Sequence, residues 1–541
     1  MKKLPLVFIL LFVNFINAQN LDSLFSEFMR IKSHSADNKI KHLTSAHDSI
    51  KCSFGIVNDV KTNFNYFSNE QQSLLKQYLS RPATDTSIVS LSGRFRIHFK
   101  KSGAEIPGYS VTELAKAADS TYNYEINNLK YLPPPNDGTM GGDNKYDIYL
   151  VNLTSGLYGY TEFETQLTAD TYTSFIVMDN DFSSHYTQGI DGAKVTIAHE
   201  FHHMIQLGSY IYRTSDQFYH ELTSTAMEEF VYDSINDYYA YIRSYTDKTH
   251  RTFSSNNGYN LAIWNIFLKE RFGADIIKRS WELMKQKRAL NAIADAIAEY
   301  GSTFKTEFSL FGQWLYFTGS RAKANKYFEE GKNYPLVKPL MVNNFVKPQT
   351  SVTINSEPAS LNFLLFNNNV SSRVDSFVAI ISNNDVTNAV SNVTNTLNFK
   401  YILSENQSDG FRKILDGYYS KVESENTFLL AESNIFNNNP TGDINTTEIS
   451  YVFPQPFRYS KNIQIYFPVG KTLEQTGELY IYSTDMNLIY SGNHKILLTD
   501  KLAMIWNGLN SKGEKLATGV YFYVTKTSDK TNKGKFVIFN D

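Results

Sequence analysis

The segment Thr196–Gly208, TIAHEFHHMIQLG, concentrates metal-binding side chains. Three histidines and one glutamate fall within five residues, in a chain that has 11 histidines among 541 residues. His199 and His203 are four positions apart, which places both imidazoles on one face of an α-helix. Two neutral imidazole nitrogens at that spacing bind one Zn²⁺, so the pattern predicts a zinc site. The alternative is a solvated helix face that carries incidental histidines.

Glu200 lies beside the first histidine, where it flanks a bound ion without having to coordinate it. The chemistry indicated is metal-assisted hydrolysis: zinc polarises a peptide carbonyl and activates water, and Glu200 is the general base that takes the proton and delivers it to the leaving amine. A further donor must stabilise the oxyanion. Tyr259 is the predicted donor, with His250, Tyr238 and Tyr239 as alternatives.

The helix that carries these residues is expected from Ala193 to Leu207, because this stretch contains neither Pro nor Gly. Asp191 is predicted to cap its start and Gly208 to end it. His202 points about 100° away from the next histidine and is expected to contact the sheet or solvent rather than the metal.

A catalytic zinc needs a third protein ligand and an open position for water. Gln206 and Ser209 occupy the places where an extended His-x-x-Gly-x-x-His motif would have its glycine and histidine, so the ligand must come from elsewhere. The next predicted helix, within YHELTSTAMEEFVYD, offers three carboxylates. We predict Glu221 as the ligand and Glu228 as the residue that orients a histidine. Glu228 and Glu229 stay open as alternative ligands.

These motifs carry a resemblance. HEFHH followed by a glutamate in a second helix resembles the gluzincin clan of zinc metallopeptidases, and HELTSTAMEEF is similar to the clan's Glu-Gly-x-Ala-x-x-x-Glu segment, with Leu222 for Gly and Ser224 for Ala. KCSFG, SGRFRIHF, KYDIYLVN, YGYTEF, VMDND and VTIAHEFHHMIQ, within residues 50–320, resemble a family of secreted bacterial metalloproteases of myxobacterial and Bacteroidetes type. The resemblance implies a zincin-like fold and a secreted endopeptidase that acts on protein or peptide substrates.

The elements that would position the site are predicted from periodicity. Ser92–Phe99, Lys145–Leu153 and Ser174–Asp181 have the composition of strands, and TELAKAADSTYNYEINNLKYL has helical spacing. This order predicts an α/β layer in which helices back a mixed sheet. With a helical subdomain to about residue 321, we assign residues 86–335 to a zinc metalloprotease domain.

The flanking regions suggest export. Residues 1–18, with two lysines before an apolar run, are predicted to be a signal peptide, with a membrane anchor as the alternative. Residues 19–85 are polar and helical, and whether they form a removable pro-segment stays open. Residues 336–445 are predicted to be β-rich. Residues 446–541 are predicted to form an immunoglobulin-like β-sandwich that is similar to the sorting domains of type IX secretion.

That similarity implies transport by the outer-membrane secretion machinery to the cell surface or the medium. The alternative is an ordinary sandwich that binds carbohydrate or packs on the enzyme. The net charge of −2 argues against nucleic acid as a partner. The mature chain has no apolar run of about 20 residues, so we expect no membrane span, and we expect a monomer.

Cys52 is the single cysteine, which excludes an intramolecular disulfide and four-cysteine zinc modules. We expect a buried, inert thiol; the alternative is a thiolate that occupies the open zinc position and keeps the enzyme latent.

The acidic stretches DNDF and NDGTMGGDN lack the spacing of a calcium loop and are expected to be turns, with calcium binding left open. A surface adhesin or scaffold with a vestigial zincin fold is the alternative function, and a non-peptidase hydrolase is a third. Cleavage specificity is not readable from the sequence.

Overall fold

The computed structural model describes residues 21–32, 51–103, 105–153, 156–344, 349–368, 375–386, 389, 397–408, 412–421, 427–431, 447–448, 452–462, 464–469, 476–497, 501–527 and 531–541. The chain forms two compact units, Met1–Phe436 and Asn437–Asp541. It is a multidomain protein of mixed α/β architecture, as predicted. The predicted signal peptide, residues 1–18, lies outside the described residues, and the predicted domain boundaries stay predictions.

The described helices of the first unit are α1 (21–32), α2 (Phe54–Thr62), α3 (Asn69–Tyr78), α4 (Val111–Tyr122), α5 (Gly189–Ile205), α6 (Gln217–Val231), α7 (Tyr239–Thr246), α8 (Ala262–Phe272), α9 (Asp275–Met284), α10 (Ala289–Glu299) and α11 (Phe304–Tyr316). Wider, π-helical turns extend α4 over Asn123–Asn128 and α5 over Gln206–Tyr210. Among the described residues, no helix is long and apolar enough to cross a membrane.

A five-stranded mixed sheet forms the centre of this unit, in the order β1 (Thr86–Val89), β2 (Phe95–Phe99), β3 (Tyr146–Val151), β5 (Tyr172–Asp179) and β4 (Gly159–Gln166). The strands β2, β3 and β5 are parallel neighbours, whereas β1 and β4 are antiparallel edges. The three predicted strands correspond to β2, β3 and β5. The edge strand β4 was not predicted, because five successive buried residues replace the usual apolar–polar alternation.

Both faces of the sheet are covered. Alternate side chains such as Ile148 and Ile176 pack with α4 and α5, while their neighbours Tyr149 and Val177 pack with the N-terminal helices. The residues that precede the sheet in the chain therefore form a layer on its second face. This layer also reaches the edge strand β4.

The ends of α5 differ from the prediction. Gln188 is the N-cap residue and makes no side-chain cap, so Asp191 lies in the first turn, where its charge favours the positive end of the helix. The regular α-helix ends at Ile205, and the π-helical turn Gln206–Tyr210 follows it directly. Gly208 lies inside this turn. A Cβ atom at Gly208 would stand 2.2 Å from Pro135 Cδ, so this glycine is needed for close packing rather than for ending the helix.

The remaining strands of the first unit form two sheets, in the orders β11-β10-β7 and β12-β9-β8-β6. Their strands are β6 (Met341–Asn344), β7 (Gln349–Ser356), β8 (Ser360–Asn368), β9 (Asp375–Asn383), β10 (Leu397–Ser408), β11 (Arg412–Lys421) and β12 (Thr427–Ala431).

The second unit contains β13 (Thr447–Glu448), β14 (Phe457–Arg458), β15 (Ile465–Pro468), β16 (Thr476–Tyr482), β17 (Leu488–Leu497), β18 (Lys501–Trp506), β19 (Gly519–Lys526) and β20 (Thr531–Phe539). Its core includes Phe467, Trp506 and Phe536.

Arg81, just after α3, joins the N-terminal layer to the sheet through buried ion pairs. It contacts Asp137, Asp147 at 2.5 Å and Glu164 at 2.7 Å. We expect Arg81→Met to lower the free energy of unfolding of the full chain by about 3–5 kcal/mol, because it removes the guanidinium that the largely buried carboxylates of Asp137, Asp147 and Glu164 share. Lys76→Met, at an exposed position on α3, is the matched control. Equal urea unfolding curves for the two variants would contradict this assignment.

Candidate metal centre

The helices α5 and α6 bring three ligand atoms together in the protein interior. His199 Nε2 lies 3.1 Å from His203 Nε2 and 3.2 Å from Glu221 Oε2, and His203 Nε2 lies 3.4 Å from the same oxygen. In a tetrahedral site with metal–ligand bonds of about 2.0–2.1 Å, the ligand atoms stand about 3.3 Å apart. The three side chains therefore have the spacing of ligands to one zinc-sized ion.

Hydrogen bonds orient both imidazoles toward this point. His199 Nδ1 lies 2.7 Å from Glu228 Oε1, and His203 Nδ1 lies 2.8 Å from Gln206 Oε1. These acceptors hold a proton on each Nδ1, so the Nε2 lone pairs face each other and Glu221. Among the described residues, Glu221 Oε1 is buried without a hydrogen-bond partner. Converging lone pairs and a carboxylate repel one another unless a cation lies between them, so the donor set fits a divalent metal ion.

The titration of the ligands also reflects this convergence. Burial lowers the pKa of His199, but hydrogen bonds to Glu221 and Glu228 outweigh it and raise the pKa to about 9. Burial raises the pKa of Glu221, but His203 and His199 together lower it to about 2. The site thus attracts positive charge, which a proton or a metal ion supplies.

Cys52 lies with these ligands although it comes from the N-terminal layer. Its sulfur and the ligand atoms of His199, His203 and Glu221 all lie within 4.8 Å of one another. The thiol is buried, as expected for a free cysteine, whereas the sequence gives its position beside the ligands only as an alternative. No local pattern in KCSFG distinguishes a ligand from a core cysteine.

Glu200 is buried next to the ligands without being one of them. Its Oε2 accepts a hydrogen bond of 2.9 Å from Thr161 Oγ1 on β4. At Gly159 a Cβ atom would stand 2.7 Å from the carbonyl oxygen of Val177 and 3.3 Å from Glu200 Oε1, so only glycine lets the edge strand approach this closely. Burial raises the pKa of Glu200, which makes its carboxylate a better proton acceptor.

Tyr259 reaches the same place, whereas the other predicted oxyanion donors do not. The Tyr259 hydroxyl donates a hydrogen bond of 2.7 Å to the carbonyl oxygen of Cys52, and its ring centroid lies 6.2 Å from that of His199. The alternatives have partners elsewhere: Tyr238 donates to Glu330, Tyr239 accepts from Asn333, and His250 is half-buried near Glu357.

Two other predicted residues are placed by long-range contacts. His202 is buried, with Nδ1 2.7 Å from Glu125 Oε2 in the turn after α4, so the prediction that it contacts the sheet or solvent is wrong. Sequence spacing alone does not pair a glutamate with a histidine on another helix. The Glu229 carboxyl group lies near Asp233 and Glu330 rather than among the ligands.

No family model and no curated protein matches this chain. Among solved structures, it is similar to PorZ of Porphyromonas gingivalis, described as an essential bacterial surface component of the type-IX secretion system, with 14% identity and a TM-score of 0.14, over 34% of this chain and 38% of PorZ. It is also similar to the neural ectodermal development factor IMP-L2, with 8% identity and a TM-score of 0.14, over 37% of this chain and 90% of that one. At these TM-scores neither similarity supports a conclusion about fold or function.

The geometry predicts one divalent metal ion per chain. We expect Glu221→Gln to abolish stoichiometric binding, and Glu228→Gln, which alters the group that orients His199 and that pairs with Lys51, to weaken it by about 10–100-fold. Titration of the full-length protein with Zn²⁺ against a chelating dye measures both. Glu229→Gln on the same helix is the control and should bind as the wild type does. Unchanged binding by Glu221→Gln would rule out this ligand set.

His220 predicts a loss of stability in acid. Burial and then His203 lower its pKa to about 3, whereas an unfolded histidine titrates near 6.5. As the pH falls below about 6.5, the unfolded chain gains a proton that folded His220 does not accept until about pH 3, so stability declines over this window.

Between about pH 7 and pH 5 this histidine should account for about 2 kcal/mol of lost unfolding free energy. We expect His220→Asn, which retains a donor for Gln206 but does not titrate, to lose that much less than the wild type. Urea unfolding of both proteins at the two pH values, in the presence of zinc, tests this. Equal losses in the two proteins would refute it.

Proposed function

We propose that this protein is a zinc-dependent endopeptidase. The observation that carries the proposal is the tetrahedral spacing of His199, His203 and Glu221, with both imidazoles oriented by hydrogen bonds at Nδ1. A histidine pair and a glutamate leave one coordination position for water or substrate, which is the arrangement of catalytic rather than structural zinc sites.

The bound ion would supply Lewis acidity, which polarises a carbonyl group and lowers the pKa of water. The protein's own groups handle the proton. Glu200 accepts it at a carboxylate oxygen, held in place by Thr161, and returns it to the leaving amine. Burial raises the pKa of the Tyr259 hydroxyl, so this group stays protonated and can donate to a developing oxyanion.

The neighbouring edge strand supports a polypeptide substrate. β4 lies at the end of the sheet, and its first residue, Gly159, lies beside Glu200. The extended backbone at Cys52 already pairs with Gly159 in parallel orientation, so this edge accepts a peptide chain. Strand addition at a sheet edge is a common mode of peptide recognition.

The wider architecture supports the related proposals. A mixed sheet with α5 packed against one face is consistent with a zincin-like fold. The sequence of residues 1–18 supports export through a signal peptide. The strands β13–β20, which follow Asn437, support a C-terminal sorting role in type IX secretion. We propose a surface-exposed or secreted location on these grounds.

The test compares Glu200→Gln with its parent. Because the Cys52 thiol lies beside the ligands, both proteins should also carry Cys52→Ser. We expect Glu200→Gln to retain zinc and to lower kcat/KM on casein and gelatin by at least about 10²-fold, since general-base catalysis contributes that much. Glu229→Gln in the same background is the control.

Equal rates with and without Glu200 would refute the peptidase proposal. Zinc binding without cleavage of any protein or peptide would favour the adhesin alternative. Glu200-dependent cleavage confined to esters would favour a different hydrolase.

A further inference from the structure

We propose that Cys52 is the fourth ligand of the metal ion, and that the segment Lys51–Asn58, which precedes the central sheet in the chain, holds the enzyme in a closed, inactive state. This inference rests on the proposed function, because it concerns the regulation of the same site. It is carried by contacts that this short segment makes with the groups of the candidate metal centre.

The thiol completes the ligand set. Its sulfur lies within 4.8 Å of the ligand atoms of His199, His203 and Glu221, and the partnerless Glu221 Oε1 is buried beside them. Two neutral histidines, one thiolate and one carboxylate balance the charge of a divalent ion. Sulfur and nitrogen ligands in a closed tetrahedron are also the donors that zinc prefers. With Cys52 coordinated, no position is left for water or substrate.

Residues on either side of Cys52 engage the supporting groups of the site. The buried Lys51 ammonium lies 2.6 Å from Glu228 Oε2, the carboxylate that orients His199, and also contacts Asp237. The Phe54 ring stacks on the imidazole of His203, with centroids 3.9 Å apart and planes 3° from parallel.

The backbone of Cys52 occupies the predicted oxyanion donor. The Tyr259 hydroxyl donates to its carbonyl oxygen, and its amide donates back to that hydroxyl at 3.2 Å. A carbonyl of the protein itself thus takes the place that a substrate carbonyl would need.

The same segment covers the edge of β4. The amide of Tyr158 donates to the Lys51 carbonyl at 2.8 Å, and that of Ser53 donates to the Gly159 carbonyl at 3.3 Å. Farther along the strand, the Asn58 side-chain amide bonds the carbonyl of Thr161 and the amide of Phe163, each at 3.0 Å. A substrate strand could not pair with β4 until these bonds are broken.

The closing experiment has a spectroscopic and a kinetic readout, both on the full-length chain. The protein is loaded with Co²⁺ in place of Zn²⁺, and the sulfur-to-cobalt charge-transfer absorption is recorded. We expect the band in the wild type and its loss in Cys52→Ser. Ser53→Ala is the matched control, because the buried Ser53 hydroxyl has no hydrogen-bond partner among the residues that the structure describes, and its loss should leave the band unchanged.

The kinetic readout is the cleavage of casein by the zinc-loaded proteins. We expect Cys52→Ser to be at least about tenfold faster than the wild type and Ser53→Ala, because an intramolecular competitor acts at an effective concentration of the order of millimolar. Treating the wild type with an organomercurial, which captures the thiol without a substitution, should give the same activation.

Each outcome separates the two proposals. A wild type without the charge-transfer band would overturn the inference and leave the peptidase proposal to the Glu200 test. A band together with full activity in the wild type would overturn the closed state. A band in the wild type with no Glu200-dependent cleavage in any variant would support the fourth ligand and overturn the peptidase proposal.

Discussion

One electrostatic constraint governs this structure. The fold brings electron-rich atoms together in its interior, where they repel one another unless a positive charge lies between them. Two imidazole nitrogens and a carboxylate oxygen stand 3.1–3.4 Å apart, each held by a rigid helix and, for the histidines, by a hydrogen bond behind the ring. Such a cluster is stable only around a positive charge. Gln206 and Glu228 are buried behind the two imidazoles and hold the rings in this arrangement.

The chemistry of the centre was predictable where it depends on the helical repeat. A spacing of four residues puts His199 and His203 on one face of a helix. A spacing of seven residues likewise puts Glu221 and Glu228 on one face of α6. Which carboxylate contacts the metal and which contacts a histidine depends on how the two helices pack. The structure places Glu221 beside the Nε2 atoms of both histidines and Glu228 at Nδ1 of His199.

Other features depend on contacts between distant parts of the chain, and no local pattern encodes them. Cys52 reaches the ligands from a separate layer, and Glu125 pairs with His202 from the turn after α4. The sequence pattern does not predict the edge strand β4. A glutamate at position 162 normally indicates an exposed face, but here Glu162 is buried against Lys32 and Lys61. The ends of α5 were misjudged because close packing, rather than capping, requires Gly208.

The start of α2 at Phe54 has a consequence for whether the segment Lys51–Asn58 could be cleaved by the proposed peptidase. A peptide bond is open to attack when the chain stays extended on both sides of it, whereas here the extended pairing ends at Cys52, and Ser53 already departs from extended backbone before α2 begins. The chain beyond Cys52 therefore coils beside the ligands, where Phe54 stacks on His203, instead of continuing as a strand. To the proposed peptidase centre, the segment therefore presents no bond with extended chain on both sides.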